Sequence, residues 1–343
     1  MATTIPNTEL HSRNEQRQSL LLSMLPVEMI LDIADQTTTA ADAVSLALTC
    51  KALFSILSGN SLKRLNADSK EMLLITLERD ISWVVYCPVA GKLLPFYSRG
   101  RGFYYPKTPY INQSFGVGGP LSTYLMCPDK SPLISFLETR LVRNHRLFGY
   151  GHGIPPSCLS LTGTRFSNCQ FTSTQYRIFL DISRTAKWIG ENLLLSSTWI
   201  VHVTGLEMAG RDISTKSLRN ILKTLFLDYA CYHCAIHGKE NDSYGVLHPR
   251  FHEAGAKLSE NSSYEGTGAC SVCETDWDVS ISWSGSGRSL VFKLIKYHDL
   301  GCCSIPPDPK WLRLLRHSTY RDLRDPPRDT CHGSVRHRWI HDG

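Results

Sequence analysis

Cys231-Tyr-His-Cys234 and Cys270-Ser-Val-Cys273 are the residues of this chain whose type and spacing point most directly to chemistry. Each Cys-x-x-Cys turn can wrap two thiolates around one side of a metal ion, and two such turns complete the tetrahedral sulfur set that Zn(II) favours. Residues 235–269 form a longer spacer than a zinc ribbon usually carries, so His233, His237, His248 and His252 also stand as replacements for one cysteine. The competing reading is that the thiols are buried and behave as small apolar side chains. A structural zinc at Cys231, Cys234, Cys270 and Cys273 is the expectation, because a reduced protein obtains no cross-links from disulfides and a metal can supply them.

Catalytic readings of the same cysteines fail on spacing. A zinc deaminase needs His-x-Glu ahead of Pro-Cys-x-x-Cys, whereas His252 and Glu253 are adjacent and Ala269 precedes Cys270. A thioredoxin-like pair sits between a strand and a helix, but Cys273 runs into an alternating strand pattern. The glycines around 116–119 and 149–153 lack the spacing of a phosphate loop and read as turns, and no Gly-x-Ser-x-Gly is present. His145, His152 and His202 cannot be joined to a nucleophile and a carboxylate from sequence, so they read as structural histidines. The expectation is a protein that is not an enzyme.

The elements that must position these groups belong to an ordinary folded chain. It has 343 residues, 42% hydrophobic and 20% charged, which supports a sizeable core and either one large domain with a small one or two of medium size. The formal net charge of +6 is spread among acidic neighbours and makes no case for nucleic acid. No apolar run reaches the length of a membrane span, and the polar first residues do not resemble a secretory signal. The 12 cysteines are too sparse for a disulfide scaffold and are read as reduced, which places the protein in the cytoplasm or nucleus. The glycosylation-like triplets at Asn112 and Asn261 are then chance matches.

Residues 1–20 show no periodicity and read as a flexible lead-in. Three short helices follow within 21–65. The first opens at Pro26 and carries Met29, Ile30, Ile33 and Ala34 at helical spacing. The second is capped by Thr39 with Asp42 three residues on, and presents Ala40, Val44, Ala47 and Leu48. The third is capped at its start by Thr49, contributes Leu53, Ile56 and Leu57, and stops at Gly59-Asn60. So small a bundle encloses little apolar surface, and the Leu25-Pro26 corner with Ile30 exceeds it, the composition of a docking module.

Leu25-Pro26-Val27-Glu28-Met29-Ile30, then Asp42 and Val44, then Leu48-Thr49-Cys50-Lys51-Ala52-Leu53, resembles an F-box. In that family the module docks onto the Skp adaptor of SCF cullin–RING ubiquitin ligases. The resemblance implies an apolar contact through Leu25, Pro26, Ile30 and Val44, with Lys51 at its rim. Met29 stands where Ile or Leu is commoner, and Ala43 where Leu often follows the Asp. The remaining chain is similar in patches to F-box proteins of filamentous fungi. Leu77-Glu78-Arg79-Asp80-Ile81 with Tyr86-Cys87 matches a segment where that group carries Cys-x-x-Cys, but Ala90 takes the second cysteine's place. Further patches are Ile134-Ser135-Phe136 through His152-Gly153-Ile154-Pro155, Trp188 through Leu195, Tyr297-His298-Asp299-Leu300-Gly301, and Pro307-Asp308-Pro309-Lys310-Trp311.

Residues 66–303 read as a mixed α/β domain. Ser82 to Tyr86, Tyr176 to Ile182 and Trp199 to Val203 are strand-like, and Ile213 to Tyr229 is helical. The clearest strand is Asp276 to Trp283, where Trp277, Val279, Ile281 and Trp283 alternate with polar residues. It forms a hairpin through Gly285-Ser286-Gly287 with Ser289 to Tyr297. The fold class expected is α+β, with a helical F-box and a C-terminal hairpin that the second Cys-x-x-Cys would make zinc-ribbon-like. Residues 304–343 read as a loose Pro/Arg-rich tail, whose Asp322, Asp325 and Asp329 offset its arginines. The function expected is an adaptor linking an undefined target to the Skp adaptor and cullin scaffold, raising local concentration without catalytic groups of its own. The alternative is a zinc-stabilised module for nucleic acid or a peptide, with the helices merely structural.

Overall fold

The computed structural model describes residues 25–37, 39–49, 53–57, 65–88, 90–99, 102–104, 134–171, 174–204, 229–231, 234–235, 263–270, 272–284, 289–305, 309–314 and 331–342. The expected lead-in 1–20, Lys51, the Gly59-Asn60 stop, residues 213–228 of the expected helix and the Gly285-Ser286-Gly287 turn lie outside them, and Tyr229, expected to end that helix, instead begins a short strand. The protein is α+β and divides into two compact units, Met1–Tyr97 and Ser98–Gly343.

In the first unit, helix α1 (Val27–Asp35) follows Pro26 and helix α2 (Ala40–Leu48) follows Thr39. Thr39 caps as the sequence indicates: its Oγ1 accepts the Asp42 N–H at 3.1 Å and donates to the Asp42 carboxylate at 2.7 Å. Thr49 instead ends α2, donating its hydroxyl to the Leu46 carbonyl at 2.8 Å. A helical stretch at 53–57 comes next. Ile30, Ala34, Ala47, Leu53 and Leu57 close into one buried cluster, with Leu25, Leu46 and Ile56 packed on its margin. A second cluster joins Ala41 and Val44 to Leu73, flanked by Leu65 and Leu77. Leu73 and Leu77 lie on helix α3 (Ala67–Asp80), which Asn66 caps by accepting the Ser69 N–H at 2.7 Å. The domain boundary expected at residue 65 therefore gives way to one at Tyr97. Helix α2 buries two sides, and α3 covers the second. Strands β1 (Val84–Cys87) and β2 (Lys92–Pro95) form an antiparallel hairpin in the same unit. Cys87 is a buried strand residue there.

The second unit is built on a six-stranded antiparallel sheet. After the small strands β3 (Tyr97–Arg99) and β4 (Gly102–Tyr104), at the start of which the division falls, comes helix α4 (Phe136–Phe148). Ser135 and Glu138 form a reciprocal capping box at its start. Gly153 then passes so close to α4 that a Cβ would lie 1.9 Å from the Leu141 carbonyl oxygen, and the Ile154 N–H donates to that same oxygen at 3.2 Å. Only glycine fits this approach, which gives a packing reason for the His152-Gly153-Ile154-Pro155 segment.

Long strands β5 (Leu161–Phe171), β6 (Thr174–Ile189) and β7 (Asn192–Thr204) follow, then short β8 (Tyr229–Cys231) and β9 (Cys234–Ala235), then β10 (Tyr264–Ala269), β11 (Thr275–Trp283) and β12 (Ser289–Asp299). The spatial order is β10-β11-β12-β7-β6-β5. The expected hairpin is present as β11–β12, with Trp277 opposite Lys296 and Ile281 opposite Phe292. It is not a free-standing ribbon, because β10 pairs on one side and β12 continues the pairing onto β7 on the other, Leu294 opposite Trp199, which places the hairpin inside the sheet. One face carries Ile178, Leu180, Trp199, Val201, Phe292, Leu294, Trp277 and Val279, all buried. Gly268 lies under Trp277, where a Cβ would meet the indole at 2.4 Å.

Helices α5 (Pro309–Leu314) and α6 (Ser334–His341) close the chain. Over these residues the loose tail expected from 304 onward is replaced by ordered structure. The arginines that suggested a solvated segment are paired: Arg313 with Glu274 at 3.5 Å, Arg336 with Asp278 at 2.9 Å and Arg338 with Asp299 at 2.7 Å. Val335 fills a cluster made by Ile189, Leu194 and Tyr297.

Candidate metal centre and apolar surface

Three of the four expected metal ligands come together. The sulfurs of Cys231, Cys270 and Cys273 all lie within 4.8 Å of one another, and this cluster can hold a metal ion. Cys231 ends β8, while Cys270 and Cys273 flank the turn between β10 and β11. The side chain of Cys234 is outside the described residues, but the β8–β9 pairing sets its backbone opposite Cys231. His233, His237, His248 and His252 lie outside them as well.

The turn has the shape that metal binding asks for. Cys270 Sγ accepts the backbone N–H of Val272 and of Cys273, each at 3.3 Å. Two N–H donors aimed at one sulfur stabilise charge on it, as a thiolate ligand requires. The turn is locked from behind, with the Cys270 N–H donating to the Thr275 carbonyl and the Thr275 N–H to the Cys273 carbonyl, each at 2.8 Å. Cys270 and Cys273 are fully buried. Burial first, and then the neighbouring Cys231 and Cys270, hold the Cys273 thiol well above its ordinary value. Three such sulfurs cannot all carry charge unless a cation joins them, so the donor set fits a soft divalent ion.

Thr275 Oγ1 stands 3.2 Å from Cys273 Sγ and 2.9 Å from His298 Nδ1. Burial, reinforced by Lys296 and opposed by Cys270, pushes the His298 imidazole down to about 3, so it is neutral at physiological pH. Its position orients the threonine beside the sulfur and adds no charge.

Around this centre the structure collects buried carboxylates that sequence reasoning did not single out. Glu274 directly follows the knuckle. Asp276 accepts the N–H of Gly333 at 3.3 Å and of Arg336 at 2.9 Å, at the start of α6. Asp299 accepts from Gly301 N–H, Lys310 and Arg338. Alternation along β11 shows Asp276 and Asp278 on one face, but their partners are distant in sequence and leave no local signal.

The residues expected to form the apolar docking contact divide. Pro26 is exposed and Leu25 half-buried. Ile30 and Val44 are core residues, 4% and 1% exposed, and their assignment to an open contact is corrected. Lys51 lies outside the described residues. The exposed apolar positions among the described residues of this unit include their helical neighbours, Val27, Met29, Leu31 and Ile33 on α1, Leu48 at the end of α2 and Phe54, and, away from these in the chain, Met72, Ile81 and Trp83. With about 3.6 residues per turn, Val27 and Leu31 flank the inward Ile30/Ala34 stripe on one side and Met29 and Ile33 on the other. The apolar arc of α1 is wider than the bundle can enclose.

Among the described residues no helix is long and apolar enough to cross a membrane. No family model, no curated protein and no solved structure matches the chain.

Proposed function

We propose that the protein is an F-box-type adaptor whose N-terminal helices dock onto a Skp-type subunit of a cullin–RING ubiquitin ligase, and whose larger unit, braced by a zinc ion, presents a target. The observation that carries the docking half is the apolar surface of α1. Val27 and Met29 are about half exposed, at 47% and 49%, while Ile30 and Ala34 of the same helix are buried in the bundle core. A surface of that kind is costly to leave in water and matches a helix-to-helix contact. The Leu25-Pro26 corner that carries the family resemblance opens this same helix. In this reading the chain works by proximity and supplies no catalytic group.

For the metal, Zn(II) is the proposed ion, because three clustered thiolate donors on Cys-x-x-Cys turns match its preference. Cys234 is the proposed fourth ligand, from its place opposite Cys231. Bound there, zinc would act as a structural cross-link between β8–β9 and the β10–β11 turn.

The docking half is tested by co-purifying the full chain with a Skp-type adaptor. Met29→Glu combined with Leu31→Glu is expected to abolish recovery while leaving the far-UV circular dichroism unchanged; undiminished recovery rejects it. The metal half is tested by elemental analysis, with about one zinc per chain expected. Its absence, together with free thiol modification of Cys231, Cys270 and Cys273, rejects that half.

A further inference from the structure

We infer that occupancy of the cysteine cluster is coupled to docking of the C-terminal helix: a zinc ion held by Cys231, Cys270 and Cys273 keeps α6 on the sheet, and its removal lets α6 leave. The inference rests on the metal reading above and concerns what the site controls.

The coupling is carried by residues adjacent to the knuckle. After Cys273, the first residues of the strand supply carboxylates in quick succession, and each one holds a piece of the C-terminal chain. Glu274 pairs with Arg313, Asp276 takes the first N–H groups of α6, and Asp278 takes the Arg336 guanidinium. The fourth acid, Asp299, is tied to the same spot through its backbone, donating N–H to the Glu274 carbonyl at 3.0 Å, while its carboxylate holds Lys310 and Arg338. Glu274, Asp276 and Asp299 are completely buried, so their partners' positions are exacting: a small shift leaves a buried polar group without the donor that satisfies it.

Helix α6 has 8 residues and needs these contacts. A helix that short does not persist by itself in water, and its N-cap is Gly333 in a left-handed conformation, which offers no side chain to the first turn. The Asp276 carboxylate does that work from the sheet. Its second support is apolar, through Val335 and Trp339. The third is Lys187 on β6, which donates to the Trp339 carbonyl and lies 4.4 Å from the Trp339 ring centroid. Neither of the last two involves β11, since their residues lie on β6, β7 and β12, so release should begin at the Gly333 end of α6, where Asp276 holds it.

A cation at the three sulfurs fixes the Cys270–Thr275 turn and, with it, the start of β11. Without the cation nothing joins Cys231 to the turn through the sulfurs, and the turn is left to its own backbone hydrogen bonds. By linkage the effect runs both ways: whatever zinc contributes to α6 docking, α6 contributes to zinc affinity.

The test is hydrogen exchange on the full chain before and after zinc is stripped with EDTA. The expected result is at least tenfold faster exchange for the amides of 335–338, with the β6–β7 amides unchanged. Stripped zinc and faster exchange at 270–275 with α6 still protected would overturn the coupling and leave the metal reading intact. Protein that contains no zinc as purified overturns both. Should stripping unfold the whole unit, the reciprocal arm decides: full-length protein carrying Arg336→Ala and Arg338→Ala is expected to surrender zinc to EDTA about tenfold more readily than wild type. Equal retention overturns the inference.

Discussion

Asp276 on β11 accepts the backbone N–H of Arg336 at 2.9 Å, joining residues 60 apart in the chain. A buried carboxylate thus stands where a helix N-cap side chain would ordinarily stand, and the positive end of the α6 dipole gives it a partner. The sheet, and not the helix's own sequence, starts this helix.

Replacing Asp276 by Ala should therefore weaken α6 specifically. The loss expected is about 1–2 kcal/mol, the scale of a lost N-cap with its charge–dipole interaction. Urea unfolding followed by Trp fluorescence measures it, and the protease sensitivity of the last residues should rise in parallel. An unaltered midpoint would show that Val335 and the flanking ion pairs hold α6 unaided.

Facing on α1 can be separated from composition. Ile30→Ala removes a buried side chain from the Ile30/Ala34/Ala47 cluster and should cost about 2–5 kcal/mol. Met29→Gln, one residue away and exposed, should change stability by less than about 0.5 kcal/mol. The same Met29→Gln change is expected to reduce recovery of a Skp-type partner. Thermal melts of both variants beside a pull-down distinguish core from contact.

Gly153→Ala tests the close approach to α4. A methyl group 1.9 Å from the Leu141 oxygen forces the two segments apart and breaks the Ile154-to-Leu141 hydrogen bond. A loss of about 1–3 kcal/mol follows from overpacking of this kind. A melting temperature equal to wild type would mean that the loop yields without cost.

Glu138 provides a pH signature. Burial raises its carboxyl above the ordinary value, against the opposing pull of the Ser135 N–H, the Ser135 hydroxyl and Arg184. A carboxyl whose folded value lies above its unfolded one contributes stability that is fully present below the unfolded value and is lost as pH rises through the folded one. Gln at this position keeps the capping box without a charge. The urea midpoint of Glu138→Gln relative to wild type should therefore move in the variant's favour between pH 4 and pH 7. A difference that is constant, or that moves the other way, would contradict the assignment of burial as the dominant cause.

Local chemistry determined a good deal of this protein. The Trp277 alternation specifies a half-polar strand at its observed place, because period two admits no other regular structure. Thr39 and Asp42 specify a helix start, because their reach is three residues. The Cys-x-x-Cys spacing singled out Cys270 and Cys273, because a turn of that length aims two sulfurs at one point. Tertiary structure decided what depends on distant partners. Whether Ile30 or Met29 faces the core rests on what packs against α1, and an apolar arc wider than the bundle fits several rotations of the helix. The arginines of the C-terminal segment read as solvated charge until Asp278 and Asp299, from strands far earlier in the chain, are brought beneath them. Sequence separation hides such pairs, since a carboxylate and a guanidinium attract across space, and only the fold brings these into contact.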